Sequence, residues 1–162
     1  MQIVGHFLQK EAIKEQSGDR DLFARSAYNR YYYTVFLATR RMLTEINGKW
    51  AGSPHKSYPE ILNGTIMKSF KNSRLRAVKN GDGQLIELLQ SGIRSAQSLA
   101  SLIEKANGVR VVADYEPAEP VKFSSAGRFS LKSVEITDAH NWNAQVEVWI
   151  IAITQAWKQI NA

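Results

Sequence analysis

A long amphipathic pattern in the first third of the chain constrains the fold most strongly. Over about residues 21–46, mostly apolar side chains recur at intervals of three and four residues, which places them along one side of a helix. These side chains are Tyr28, Tyr31, Tyr32, Val35, Phe36, Thr39, Met42 and Leu43. The pattern predicts a central helix with one buried face.

Similar periodicity predicts four more helices. Glycine- and proline-rich breaks separate them, such as NGKWAGSPH and KNGDG. The predicted helices cover about residues 4–16, 57–71 and 83–107, with the third of these stopping at Asn107-Gly108, and a last helix begins at Thr137 or Asp138.

The segment before the last helix has a different pattern. Val121 and Phe123 alternate before SSAG, and Phe129 and Leu131 alternate after it, which predicts a β-hairpin over 121–131. We therefore predict an all-α fold: an up-and-down bundle of about five helices with a small β-hairpin insertion before the last helix. We expect one domain over residues 1–162, because that length supports a single core.

Composition excludes several classes of site. The chain has no cysteine, which rules out disulfides, thiol catalysis and cysteine-bound zinc. No three-ligand metal set or glycine-rich phosphate loop is recognisable, so we expect no metal and no cofactor. No signal peptide or membrane-spanning run is apparent, so we expect a cytoplasmic protein that does not insert into a membrane. The formal net charge of +6 makes an acidic partner or nucleic acid plausible.

Three segments, in order, resemble the HEPN family (higher eukaryotes and prokaryotes nucleotide-binding). NRYYYTVF at 29–36 resembles the family's Asn/Ser-Arg-x-Tyr-Tyr-x-x-Phe helix. GSPHKSYPEIL at 52–62 resembles its histidine-containing loop before the next helix. RVVADYEP at 110–117 resembles its Arg-x-x-Ala-Asp-Tyr element after the fourth helix. The resemblance covers nearly the whole chain.

The resemblance implies a helical-bundle protein, often dimeric, from prokaryotic toxin–antitoxin, defence or nucleotidyltransferase-associated systems. Many members are metal-independent ribonucleases whose signature is an arginine followed four to six residues later by a histidine. Here the arginines that most closely precede His55 and His140 are Arg41 and Arg128, fourteen and twelve residues upstream. The standard nuclease motif is therefore absent.

A helical wheel divides the tyrosine-rich stretch into two faces. At about 100° per residue, Tyr28, Tyr31 and Tyr32 point to the core, whereas Arg30 falls on the opposite side. Arg30 is then either solvated, paired with a carboxylate, or part of an interface or anion contact. The predicted interface on the outer faces of this helix consists of Phe23, Arg30, Tyr33, Leu37 and Arg41.

The strongest candidate for phosphate contact is the basic run KSFKNSRLRAVK. It holds five cations and no acidic residue, which is the pattern of a nucleic-acid-binding surface or of a solvated face. We predict nucleic-acid binding by Lys68, Lys71, Arg74, Arg76 and Lys79.

The remaining candidates come from the resembling segments. Arg110 and Asp114 are spaced to form an ion pair along a helix, and the resemblance implies a structural role for Asp114 and Tyr115. If the protein is a catalyst, the candidate residues are Arg30, His55 and Arg110.

Our first hypothesis is a HEPN-like protein that acts by binding, as a homodimer or with a partner. The partner would be a nucleotidyltransferase, an antitoxin or RNA, in a prokaryotic defence or toxin–antitoxin system. The first alternative is a metal-independent ribonuclease with a non-standard Arg/His site. The second is a structural subunit whose hairpin docks on a larger complex.

Overall fold

A computed structural model describes residues 1–124 and 127–161 of the chain. Helices dominate it. They are α1 (Gln2–Lys14), α2 (Asp19–Ile46), α3 (Tyr58–Glu60), α4 (Met67–Asn80), α5 (Gly83–Tyr115) and α6 (Ile136–Ile160). A π-helical stretch, Ile61–Ile66, joins α3 to α4, so residues 58–80 are helical without a break. Short 3₁₀ turns cover Gly48–Trp50 and His55–Ser57.

Three short strands lie between α5 and α6. They are β1 (Lys122–Phe123), β2 (Phe129–Leu131) and β3 (Val134–Glu135). They pair antiparallel in the order β1-β2-β3, with Phe123 opposite Phe129 and Leu131 opposite Val134. The all-α bundle with a small β insertion is confirmed as the fold class, and the insertion has three strands instead of two. Ser125 and Ala126, the middle of the predicted SSAG turn, lie outside the described residues.

The described residues form two compact units. The first comprises Met1–Phe36 and Glu104–Ala144, and the second comprises Leu37–Ile103 and the chain from Gln145 onward. Helices α2, α5 and α6 contribute to both units. No helix in the described ranges is both long enough and apolar enough to cross a membrane.

The core of the first unit is built on the inward face of α2. Tyr28 and Tyr31 are at most 1% exposed, as the helical wheel predicts, and the Tyr28 ring packs edge-on to Phe129 of β2 at 5.9 Å between ring centres. The Tyr28 hydroxyl donates to the Val134 carbonyl at 2.6 Å. This bond satisfies a polar group that would otherwise be costly to bury.

The second unit packs aromatic and aliphatic side chains from four elements. Phe70 of α4 lies 6.2 Å from Trp157 of α6, which also contacts Trp50. Gly92 of α5 lies against this cluster, where a Cβ would be only 2.8 Å from the Ala156 Cβ. The remaining core includes Leu62, Ile66, Leu89, Leu99 and Ile153, all fully buried.

Two predicted helix ends are wrong. The helix predicted over 57–71 continues to Asn80, where Gly81 ends it in the left-handed conformation (φ 69°) that glycine adopts without strain. The helix predicted to stop at Asn107-Gly108 continues to Tyr115. Buried side chains beyond that point, such as Val109 and Val112, extend its apolar face and outweigh the weak helix propensity of glycine.

Candidate functional site

Helix α4 presents the basic surface that the sequence predicted. Lys68, Lys71, Arg76 and Lys79 are exposed, and Arg74 is half-buried. Throughout the described part of the chain, none of these five cations forms an ion pair. Because no acidic residue occurs in α4, its positive charge is not neutralised locally.

The three lysines of α4 share one face of the helix with an exposed leucine. Lys68, Lys71, Leu75 and Lys79 follow one another at steps of three, four and four residues, so they lie along a single stripe. Leu75 is 60% exposed, and Val78 beside the stripe is 52% exposed. We call Lys68, Lys71, Leu75, Val78 and Lys79 the α4 surface. It combines charge with apolar area and has no aromatic side chain.

A cleft between α4 and α5 adds a second cationic feature. Its volume is about 460 Å³, and Arg74 and Arg94 line it together with Glu87 and Gln90. The Nε of Arg74 is buried and has no hydrogen-bond partner among the described residues. The other donors of the two guanidinium groups that line the cleft suit a phosphate oxygen. Arg94 was not among the residues that the sequence predicted, because it lies outside the basic run.

A polar cluster forms where α5 ends. Arg110 Nε lies 2.8 Å from Asp114 Oδ2, so the ion pair predicted from their spacing is present, although it lacks hydrogen-bond alignment. The Arg110 guanidinium also lies 5.9 Å from the Tyr32 ring and 5.4 Å from the Tyr115 ring. Burial opposes the charge of Arg110, but Asp114, Tyr115 and Tyr33 outweigh it and raise its pKa.

Asp114 also connects α5 to α2, because Asn29 Nδ2 donates a hydrogen bond to Asp114 Oδ1. The Asn29 Oδ1 is buried and lacks a partner in the described structure. Asp114 thus accepts from an amide of α2 and lies beside a guanidinium of its own helix. A structural role for Asp114 and Tyr115 stays a prediction. Tyr115 is 67% exposed, and its described contact is with Arg110.

The three catalytic candidates occupy different settings. Arg30 is half-buried against α1, with its Nη1 3.9 Å from Met1 Sδ, whereas Arg110 contacts Asp114 and Tyr115. His55 is exposed in the 3₁₀ turn of the second unit. The role of this set in catalysis stays a prediction.

The predicted interface residues differ in their exposure. Phe23, Arg30 and Tyr33 are half-buried in the first unit, and Tyr33 contacts the Tyr32 ring at 5.3 Å. Leu37 and Arg41 are exposed in the second unit. An interface through these residues also stays a prediction.

Sequence reasoning missed a buried arginine. Arg25 is only 8% exposed, pairs with Asp21, and donates to carbonyl oxygens at the end of α5 and in the loop after it. The acceptors are Val112, Glu116, Pro117 and Glu119. The one signal in the sequence was its position four residues after Asp21, a spacing that permits an ion pair along a helix.

It also missed a pair of histidines. His6 of α1 and His140 of α6 have ring centres 5.1 Å apart, and Tyr31 of α2 hydrogen-bonds to His140. They line a pocket of about 280 Å³ with Gln9, Thr137 and Asn141. No local pattern indicates this site, because its residues come from three helices distant in sequence.

Comparison with known proteins gives no assignment: no family model matches the chain, and neither a curated protein nor a solved structure matches it.

Proposed function

We propose that this chain is a HEPN-like helical protein that acts by binding, and that the α4 surface contacts the phosphate backbone of RNA. The observation that carries the proposal is the charge of α4. Its five cations have no acidic neighbour on the helix and no ion pair within the described residues. Cations without counter-ions attract a polyanion and release its condensed counterions on binding.

The chemistry of the surface indicates how RNA would be bound. Sequence-specific recognition of single-stranded RNA depends largely on stacking bases against aromatic or arginine planes. The α4 surface offers lysines and the aliphatic Leu75 and Val78, and Phe70 of the same helix is fully buried. The exposed Arg76 is a single guanidinium plane beside this surface, too little to read a series of bases. We therefore expect binding that is electrostatic, sensitive to salt and tolerant of sequence.

The cleft beside α4 supplies the most directional contact in this proposal. Arg74 and Arg94 can bind phosphate through planar guanidinium donors, which lysine lacks. Glu87 lines the same cleft, so the cleft has two cations against one carboxylate. We expect one phosphate to bind there.

Two of the segments that resemble the HEPN family contact each other. Asn29 of the α2 segment bonds to Asp114 of the α5 segment, and the Tyr32 ring faces Arg110. The prokaryotic defence or toxin–antitoxin setting, the protein partner and the homodimer belong to this proposal and rest on the resemblance alone.

RNA binding can be tested by fluorescence anisotropy with labelled single-stranded RNA. The test variant changes Lys68, Lys71 and Lys79 to Gln, and the control variant changes the exposed Lys49, Lys122 and Lys158 to Gln. Both lower the formal net charge from +6 to +3, so they separate the surface from the overall charge. We expect Kd to rise at least tenfold in the test variant and less than about threefold in the control.

Equal losses in both variants would contradict a specific α4 surface. The same samples, incubated in chelator and separated on a gel, report whether the RNA stays intact. RNA that is cleaved by the wild type but not by the His55→Ala and Arg110→Ala variants would replace the binding proposal with the ribonuclease alternative.

A further inference from the structure

The histidine pair of the first unit has the arrangement of a ligand site. His6, Tyr31 and His140 come from three different helices and meet beside an open pocket of about 280 Å³. Both histidines and Gln9 line that pocket, while Tyr31 is 1% exposed and lies behind them. His140 is thus held by the buried Tyr31 hydroxyl and is accessible from the pocket.

The hydrogen bonds around Tyr31 determine which nitrogen of His140 is free. The Tyr31 hydroxyl has one proton, and its shorter contact is with Gln9 Oε1 at 2.6 Å, an oxygen that can only accept. Tyr31 therefore donates to Gln9 and accepts from the Nδ1–H of His140 at 2.9 Å. In neutral His140 the Nε2 then carries the lone pair. Metal-binding histidines are typically oriented in this way, with the other ring N–H held by an oxygen.

His6 provides a second imidazole. Its Nδ1 is buried and has no partner among the described residues. Burial, with added repulsion from Lys10 and His140, lowers the pKa of His6 below its ordinary value. Lys10 is exposed, so water screens its repulsion of a bound cation.

The distance between the rings matches two ligands of one tetrahedral ion. A metal–nitrogen bond of about 2.0–2.1 Å places each ring centre about 3.2 Å from the ion, so two rings at about 109° have centres about 5.2 Å apart. The observed separation of the His6 and His140 ring centres is 5.1 Å, with the planes inclined by 56°. The separation of the two ring centres is therefore the one that two imidazole ligands of a shared ion would have.

We propose that His6 and His140 bind a divalent transition-metal ion of the zinc class, with Tyr31 positioning His140. The described residues contain no group of three or more His, Cys, Asp or Glu around a common point, so water and pocket oxygens complete the coordination. Thr137 and Asn141 line the pocket and can supply such oxygens. Imidazole ligands favour Zn²⁺, Ni²⁺ or Cu²⁺ over Mg²⁺ and Ca²⁺, which prefer oxygen.

The proposal can be tested by calorimetric titration of tag-free protein with Zn²⁺, with Mg²⁺ as the negative control. We expect one Zn²⁺ per chain and no heat of binding with Mg²⁺. The His6→Gln and His140→Gln variants should each weaken Zn²⁺ binding at least tenfold. The His55→Gln variant, which removes an exposed histidine of the other unit, should bind as the wild type does. Tyr31→Phe should weaken binding by up to about tenfold, because it removes the acceptor that orients His140.

A second measurement does not depend on the His6 and His140 variants, which could lose binding because they fail to fold. Cu²⁺ bound to the His55→Gln protein should show electron-paramagnetic-resonance splitting from two imidazole nitrogens, since only His6 and His140 remain. Absence of Zn²⁺ binding up to millimolar concentration, splitting from fewer than two imidazoles, or loss of binding in His55→Gln would each overturn the proposal. RNA binding through the α4 surface uses none of these residues, so the two tests are independent.

Discussion

Arg25 shows how one side chain can fix the end of a helix. The last carbonyls of a helix have no partner within it, and they need donors from elsewhere. In the first unit, the Arg25 guanidinium donates to the Val112 carbonyl in the last turn of α5 and to the Glu116, Pro117 and Glu119 carbonyls beyond it. The Val112 and Glu116 carbonyls also accept backbone N–H groups, from Glu116 and Glu119. Its charge is offset by Asp21, so the buried cation is both paired and hydrogen-bonded.

Replacing Arg25 should therefore destabilise the protein strongly. We expect Arg25→Met to lower the free energy of unfolding by about 3 kcal/mol, because the Pro117 and Glu119 carbonyls lose their donor and Asp21 loses its cationic partner. Arg41→Met on the same helix changes an exposed arginine and should alter stability by no more than about 0.5 kcal/mol. Urea unfolding followed by circular dichroism measures both, and equal midpoints for the two variants would contradict this role.

The buried Tyr28 hydroxyl should make the stability of the protein depend on pH above pH 10. Burial raises the pKa of its hydroxyl well above the ordinary value of 10. Above pH 10 the unfolded chain releases this proton while the folded chain keeps it, so stability is full below pH 10 and falls as pH rises further. Tyr28→Phe should be less stable than the wild type by about 1 kcal/mol at pH 7, because the Val134 carbonyl loses its donor.

The fall in stability above pH 10 should also be shallower in Tyr28→Phe than in the wild type. Urea midpoints measured between pH 8 and 11 test this difference, and parallel profiles for the two proteins would contradict it. Tyr115→Phe is the matched control for the loss of a hydroxyl, because this tyrosine is 67% exposed, and its midpoint at pH 8 should match that of the wild type.

At the residue scale, local spacing was predictable and distant contacts were not. The inward positions of Tyr28, Tyr31 and Tyr32 follow from helical periodicity, and the Arg110–Asp114 pair follows from a spacing of four. The contact between His6 and His140 depends on how α1 and α6 meet in the first unit, and no short-range pattern encodes that.

At the scale of elements, helix positions were predictable and helix ends were not. Asn107-Gly108 is a frequent stop signal, yet α5 runs through it because its apolar face continues. The third strand was missed because its turn, Lys132-Ser133, lacks the usual Asn-Gly signature. Both residues have positive φ, 49° and 60°, which side chains other than glycine and asparagine adopt less readily.

Two glycines of α5 should respond in opposite directions to the same substitution. Gly92→Ala places a methyl group 2.8 Å from the Ala156 Cβ and 3.0 Å from the Phe70 ring, so we expect a loss of about 1–3 kcal/mol. Gly108→Ala meets only the flexible end of Lys132 at 3.8 Å and should gain about 0.5–1 kcal/mol from better helix propensity. Thermal unfolding measures both, and destabilisation by Gly108→Ala would contradict an uninterrupted α5.

At the scale of the whole molecule, the positive charge is concentrated on one helix. The five cations of α4, with no acidic residue among them, account for +5 of the formal +6, which leaves +1 for the rest of the chain. A positive net charge spread over the surface would attract a polyanion to no particular place, whereas a single charged helix provides one binding site for the polyanion. Sequence alone identified this run, because charge clustering is local. It could not identify the cleft formed with Arg94.

The fold class could also be predicted from the sequence, because helical periodicity is a local pattern. Amphipathic periodicity specifies which face of each helix is buried, and buried faces specify an all-α fold. Function depends on which side chains meet in three dimensions, as in the Arg74–Arg94 cleft. The binding proposal therefore draws on charge from the sequence and on exposure from the structure.

The salt dependence of RNA affinity tests the central claim most directly. Each phosphate neutralised on a single strand contributes about −0.7 to the slope of log K against log salt concentration. Changing Lys68, Lys71 and Lys79 to Gln removes three contacts, so the slope should become shallower by about 2. The control with Lys49, Lys122 and Lys158 changed to Gln should keep the wild-type slope. A slope unchanged in the first variant, or reduced equally in both, would contradict the assignment of RNA binding to α4.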